Sequence, residues 1–276
     1  MTIYEWLTSA TAELNEAHIE TARLDSLVLL SDELKRDKSW ILGHPEHILQ
    51  RSDIKILNTK IIQRAQHVPL AYIRGHAEFF GRKFTVNEHV LVPRPESEAI
   101  IELLKANIPN TYKGTIIDIG TGSGILGITA ALEFPAAQVY ATDIDSNALL
   151  VARDNAMQHH VALTFAEGDL LAALSDETPI VQSAILLANL PYVPEDYPVN
   201  KAATHEPPLA IFAGDGGLEQ YKKLCAQLTV LNAKPSAVIT ESLCIQHEKI
   251  VQLMRTAGYT VQSTNGLAQY FAYNLS

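Results

Sequence analysis

The sequence predicts an α/β protein: an open, mainly parallel sheet with helices on both faces, preceded by a small helical bundle. Three observations carry that expectation. From Gly114 onward, short apolar runs alternate with helical patterns, as repeated βα units do. Those runs end close to polar residues, Asp118, Asp143, Asp169 and Asn189. Before residue 70 the apolar residues recur at three and four, with no strand-like run.

Composition sets bounds. The 276 residues suffice for one large domain, or one medium and one small. Hydrophobic content of 47% against 19% charged suits a chain with a substantial core. No window approaches a membrane span. The start, Met1 to Trp6, lacks the pattern of a signal peptide. Cys225 and Cys244 form neither a disulfide framework nor a metal spacing, so buried thiols and a cytoplasmic location are expected. The ten His show no metal spacing either. A net charge of −10 argues against broad contact with nucleic acid. Oligomeric state is open, with a monomer the default.

The first helix is expected through Trp6, Leu7, Ala10, Leu14 and Ala17. The second is Ala22 to Leu34, with Leu24, Leu27, Val28 and Leu30 on its stripe and Thr21 as N-cap. Trp40 to Leu42 follows, and Ile54 to Ala65 places Ile54, Leu57, Ile61 and Ile62 on one face. Pro69 should break the last of these helices. Phe79, Phe80, Phe84 and Val86 around Gly81 suggest a hairpin link. Pro93 and Pro95 hold Arg94 in a rigid extended stretch, and Ser97 to Leu104 is helical. Strands follow at 115–119, 137–142, 163–165, 181–188 and 237–240. Helices fall at 125–132, 146–159, 218–231 and 245–257. An antiparallel pair, 259–263 and 269–273, closes the chain.

Ligands of such sheets bind beyond the carboxyl ends of the strands. Gly122 to Gly127 fits G-x-G-x-x-G, which leaves a dinucleotide enzyme open. The fuller string is Asp118-Ile-Gly120-Thr121-Gly122-Ser123-Gly124. Its glycines admit a ligand to the backbone, and its acid suits a ligand's ammonium better than a pyrophosphate. Asp143 is placed for ribose hydroxyls, Asp169 for an adenine amine and Leu170 for the ring. Asn189-Leu190-Pro191-Tyr192 separates the cofactors. Hydride transfer has no use for it. Methyl transfer to a planar NH2 group does: the Asn189 oxygen and the Leu190 carbonyl can accept both N–H bonds, Pro191 stiffens the turn, and Tyr192 offers a ring face. Such positioning supplies much of the rate. These residues therefore stand as the candidate catalytic and substrate-binding set.

Several further segments extend the pattern: Ala22-Arg-Leu-Asp25, Pro69 to Ile73 with Gly75, Glu78-Phe-Phe-Gly81, Leu91 to Glu98, His205-Glu-Pro207 and Gly214 to Leu218. With the glycine loop and the Asn189 to Tyr192 turn, the chain resembles the HemK family of protein-(glutamine-N(5)) methyltransferases along nearly its whole length. The resemblance implies a class I S-adenosyl-L-methionine-dependent methyltransferase fold, Rossmann-like, with a seven-stranded sheet. Its implied domains are a substrate-recognising bundle at 1–73, a hairpin linker at 74–92 and a catalytic domain at 93–276. It implies S-adenosyl-L-methionine as cofactor, reaching Asn189 as well as the glycine loop, and peptide chain release factors as substrates. The glutamine of their Gly-Gly-Gln loop would enter beside Asn189, and Arg94 would serve the substrate. The family tetrad is usually Asn-Pro-Pro-Tyr, so Leu190 is a departure. Asn-Leu-Pro-Tyr also occurs in ribosomal RNA adenine-N(6) dimethylases, so methylation of RNA adenine, or of another protein's glutamine, is the alternative. The closing strands, with Asn265 to Phe271, carry a weak signal.

Overall fold

The computed structural model describes residues 1–174 and 181–274. The chain forms two compact units. One comprises Met1–His76 with Val199–His205, the other Ala77–Pro198 with Glu206–Ser276.

The first unit is helical. Helix α1 (Ile3–Glu16) starts on a capping box: the Thr2 hydroxyl accepts from the Glu5 amide, and the Glu5 carboxylate accepts from the Thr2 amide. Helices α2 (Ala22–Leu34), α3 (Lys38–Gly43), α4 (Arg51–Ala65) and α5 (Leu70–Arg74) follow. Their core gathers Trp6, Leu14, Leu29, Leu30, Ile41 and Leu57. The stripes are rotated from the expected ones: Leu24 and Ile62 are exposed. Asp25 is buried where α2 meets Arg64 of α4, at 2.7 Å. Thr21 makes no capping bond. Helix α4 ends before Pro69, as expected, and Pro69 then precedes the short α5, where its missing N–H costs the helix nothing.

The second unit begins with a hairpin, β1 (His76–Phe79) and β2 (Arg82–Thr85). Its two-residue turn puts Phe80 and Gly81 both at positive φ, the backbone that matches strand twist in tight hairpins. The sheet contains β3 (Thr115–Ile119), β4 (Gln138–Asp143), β5 (Thr164–Glu167), β6 (Ile185–Ala188), β9 (Ala237–Glu241), β10 (Tyr259–Asn265) and β11 (Ala268–Tyr273). Their order is β10-β11-β9-β6-β3-β4-β5. All pairings among β5, β4, β3, β6 and β9 are parallel, while β11 runs antiparallel to both neighbours. The weakly signalled final pair is therefore inserted with its second strand inward. Strand β6 is shorter than expected. Val181 to Ser183 form a turn with Ser183 at positive φ, and pairing starts only at Ile185. A two-residue bridge, β7 (Val193–Pro194) with β8 (Phe212–Ala213), lies outside the main sheet.

The strands bury both faces. Ile116, Leu187 and Ile239 pack under α6 (Glu98–Asn107) and α7 (Ile125–Glu133). Helix α8 (Ser146–Gln158) adds Ala156 to the same core. Ile117, Leu186 and Val238 pack under α9 (Glu219–Val230) and α10 (His247–Thr256). Strand side chains alternate between these cores at every residue, which is why the strands read as unbroken apolar runs.

Candidate active site

The strand order reverses at β3, whose two neighbours are β4 and β6. A crevice at such a switch point is forced by the topology, because the connections leave to opposite faces. A cavity of about 360 Å³ opens there. Among the expected residues, Gly120, Thr121, Gly122, Ser123, Asp143, Asp169 and Leu170 line one part of it. Asn189, Leu190, Pro191 and Arg94 line it too. Asp118, Gly124 and Tyr192 do not.

The glycine loop is tied down from below. Asp118 is 1% exposed. Its Oδ2 accepts from the Thr121 hydroxyl at 2.6 Å and from the Gly127 amide at 2.9 Å. Its Oδ1 is buried with no partner. Burial pushes this carboxyl up to about 6, against the pull of those two hydrogen bonds. Gly122 adopts a positive φ with open space where a Cβ would stand, so backbone is presented to the cavity. Its amide donates to Asp143 Oδ2 at 2.8 Å, and the Asp145 amide donates to Oδ1 at 3.0 Å. Burial raises the Asp143 carboxyl despite both bonds. Beside it the side chain of Ile144 is exposed and lines the cavity.

The turn after β6 is held differently. Asn189 Nδ2 donates to Ser97 Oγ at 2.9 Å. That commitment leaves Oδ1 as the acceptor its carboxamide can offer a ligand. Leu190 is buried in the core. The Tyr192 hydroxyl donates to Glu241 Oε1 at 2.9 Å, and the Tyr192 carbonyl accepts from Gln246 Nε2 at 2.8 Å. Gln246 also bonds the Gly216 carbonyl at 2.9 Å. Gly217 packs directly against this turn: a Cβ there would lie 2.0 Å from the Tyr192 carbonyl oxygen. The Tyr221 hydroxyl donates to the carbonyls of Ala188, at 3.1 Å, and Glu241, closing β6 onto β9. Burial pushes the Tyr192 and Tyr221 hydroxyls well up, with Glu241 adding to both.

Arg94 is held by Glu206, Nη2 to Oε1 at 2.6 Å, while Glu206 Oε2 accepts from the Val92 amide at 2.9 Å. The arginine-proline segment and the His-Glu-Pro segment are thus one construction. Sequence reasoning had not assigned roles to Ser97, Glu206, Tyr221, Glu241 or Gln246. Glu241 alone carried a signal of its own, an acid ending a core strand.

Among the described residues, no three His, Cys, Asp or Glu are grouped to hold a metal ion, and no helix is long and apolar enough to cross a membrane.

The model of the PrmC N-terminal domain matches residues 5–75, and that of ribosomal protein L11 methyltransferase (PrmA) matches residues 98–201. A release factor glutamine methyltransferase of Koribacter versatilis is 35% identical over 83% of this chain and 81% of its own length. One of Coxiella burnetii is 34% identical over 87% of this chain and 86% of its own. Among solved structures, the catalytic domain of human METTL16 bound to an RNA hairpin aligns with a TM-score of 0.57 at 16% identity. That alignment covers 91% of each chain. The N-terminal domain of human METTL16 with SAH aligns with a TM-score of 0.53 at 16% identity, over 91% of this chain and 94% of that one. The METTL16 likeness carries the fold alone: a methyltransferase sheet. Identity of 34–35% over more than four fifths of each chain, joined to a matching N-terminal domain, goes further: this chain belongs to the release factor glutamine methyltransferase family.

Proposed function

We propose that this protein methylates the side-chain amide nitrogen of the glutamine in the Gly-Gly-Gln motif of peptide chain release factors, with S-adenosyl-L-methionine as donor. The observation that carries the reading is the Asn189 turn. An amide nitrogen is a weak nucleophile, because its lone pair is delocalised into the carbonyl. The protein must therefore orient the group rather than merely bind it. With Nδ2 spent on Ser97, Asn189 offers Oδ1 to one substrate N–H, and the Leu190 carbonyl offers itself to the other. The nitrogen then turns its π face toward the donor methyl. Tyr192 and Arg94 serve the substrate side of the same arrangement.

The cavity suits the donor. Asp118 Oδ1 is unpartnered but buried beneath the loop, off the cavity lining, so its charge would act on the donor's ammonium from below, and the open backbone at Gly122 would take the amino-acid moiety. Asp143 would accept from the ribose hydroxyls. Asp169, Leu170 and Ile144 would hold the adenine. The bound donor supplies an electrophilic methyl on a sulfonium. The protein supplies orientation, with the Asn189 and Leu190 acceptors set toward the reacting nitrogen. The helical unit would meet the body of the release factor, and a cytoplasmic location follows from that substrate.

The test is transfer from labelled S-adenosyl-L-methionine to purified release factor, beside a release factor whose Gly-Gly-Gln glutamine is replaced. Mass spectrometry locates the methyl group. Label on that glutamine alone is the expected result. Label on RNA adenine with none on the release factor would overturn the reading.

A further inference from the structure

The turn at 214–218 touches neither donor nor amide in the reading above, yet its backbone is unusual. Asp215, Gly216 and Gly217 all take positive φ, a region disfavoured for a residue with a side chain such as Asp215. Such a backbone persists where its neighbours hold it. The turn directly follows β8, and the bridge from β8 to β7 sets it beside the residues after Tyr192. Gly217 then lies so close to the Tyr192 carbonyl and to Gln246 Nε2 that a Cβ has no room.

Gln246 joins the two turns. It is buried, and both ends of its carboxamide are engaged. Nε2 donates to the Tyr192 carbonyl at 2.8 Å and to the Gly216 carbonyl at 2.9 Å. Oε1 accepts from the Leu243 amide at 3.0 Å. A carbonyl only accepts and a backbone N–H only donates, so the two ends of this amide cannot be exchanged. A carboxylate of the same shape could serve Leu243, but it would face two carbonyls with no proton to give. Position 246 therefore calls for a glutamine by its donors and not by its size.

The place of these bonds matters for the reaction. Gln246 fixes the peptide plane after Tyr192, and the Tyr192 hydroxyl donates to Glu241 Oε1 at 2.9 Å. Held at its backbone and at the far end of its ring, Tyr192 has one seat. Leu190, whose carbonyl is the second acceptor proposed for the substrate amide, lies two residues upstream in the same turn. A turn released at Tyr192 can carry that carbonyl away from Asn189 Oδ1. Two acceptors out of register no longer orient one NH2 group, and a misplacement of about 1 Å can cost about a hundredfold in rate.

We propose that Gln246 is a positioning residue for amide methylation: its NH2 group locks the Tyr192 turn onto the turn at 214–218, so that Tyr192 and the Leu190 carbonyl keep their places around the substrate nitrogen. The proposal rests on the methyl-transfer reading above.

Gln246→Glu keeps the shape and removes both donors. Gln246→Met keeps the length and adds no charge. Both are made in the full-length protein, and turnover on release factor is counted per S-adenosyl-L-methionine-binding site, so that unfolded enzyme drops out. In Gln246→Glu kcat should fall about tenfold to a hundredfold. In Gln246→Met it should fall less, because two carbonyls lose a partner but meet no charge. The dissociation constant for S-adenosyl-L-methionine should stay within about twofold, and KM for release factor should move less than kcat. A packing role alone would reverse the order of the variants, since the glutamate fits the space of the glutamine. Incorporated fluorotyrosine gives a readout independent of turnover. The Tyr192 resonance, identified by its loss in Tyr192→Phe, should shift or broaden in Gln246→Glu. A Gln246→Glu enzyme with wild-type kcat per site would overturn the proposal. So would a larger loss in Gln246→Met than in Gln246→Glu, or a loss of cofactor affinity equal to the loss in kcat. A wild type without turnover on release factor would strike the reaction assigned above. The Tyr192 resonance would then decide alone, and an unchanged signal in Gln246→Glu would overturn the placement.

Discussion

The two ends of the cavity are built by opposite means. The glycine loop is made of backbone, opened by Gly122 and tethered by two acids that lie within or beside the motif, Asp118 and Asp143. The Asn189 turn is made of side chains gathered from far apart: Ser97 before α6, Glu241 at the end of β9 and Gln246 beyond it. A cofactor with a constant structure can be gripped by a local motif. A flexible amide from a second protein needs an orientation, and several distant anchors impose it. The comparison predicts that damage at one end should separate cleanly from damage at the other.

The largest separation is expected for Asn189→Ala. It removes an acceptor that matters most when the amide is aligned with the methyl. The expected loss in kcat is about 10²–10³-fold, the scale seen for a single well-placed polar group in a transition state. The dissociation constant for S-adenosyl-L-methionine should move far less. Calorimetric binding beside single-turnover kinetics checks both. Equal losses would erase the distinction between the two ends.

Asp118 tests the other end by pH. Its folded pKa of about 6 stands above the ordinary value of 3.8. A raised carboxyl favours the folded state fully below the unfolded value, and that contribution is lost as pH rises through the folded one. Between pH 4 and 7 the loss is about 3 kcal/mol. Asp118→Asn should therefore raise the melting temperature at pH 7.5 and change it little near pH 4. On the proposed reading the ionised form is the one that favours the donor's ammonium. Wild-type cofactor affinity should weaken about tenfold from pH 7.5 to pH 5, one pH step below the carboxyl's pKa. The Asn variant should lose that dependence. A pH-independent wild type would separate Asp118 from the cofactor altogether.

Gly217→Ala should damage the substrate end through the backbone. The added Cβ meets the Tyr192 carbonyl and Gln246 Nε2 at a residue with positive φ. Something must shift, and a cost of about 2–3 kcal/mol in thermal stability follows. Turnover should fall with it, while cofactor affinity holds.

How much of this was legible follows from the same contrast. Alternating apolar runs announced the sheet, because strands buried on both faces have few polar positions. The glycine loop and its acids were legible because every partner lies close in sequence. Asn189 to Tyr192, taken with the glycine loop upstream, could be read as a candidate grip for a planar NH2 group, without saying whose. What holds that grip could not. Ser97 and Asn189 are 92 residues apart, and Tyr192 and Glu241 are 49 apart, so their meeting is a product of topology. In the bundle, the apolar period placed the helices but not the rotation of α2 and α4, which the buried Asp25–Arg64 pair shares in setting.

The smallest effect is expected at Leu190, the departure from Asn-Pro-Pro-Tyr. Leu190→Pro would stiffen the turn and reduce the freedom of the unfolded chain, a gain of about 0.4–1 kcal/mol where the backbone accepts it. Against that, Leu190 is buried in the core. Losing buried methyl groups costs about 2 kcal/mol. The balance is a modest loss of thermal stability, about 1–2 kcal/mol. The carbonyl proposed to receive the substrate N–H is retained, so kcat should stay within about threefold. A kcat well above wild type would mean that rigidity at residue 190 limits the turn. The distant anchors Ser97, Glu241 and Gln246 would then hold the amide less tightly than their bonds suggest. An unchanged kcat would mean that those anchors already supply the rigidity a proline would give at residue 190, which is why a leucine can stand there.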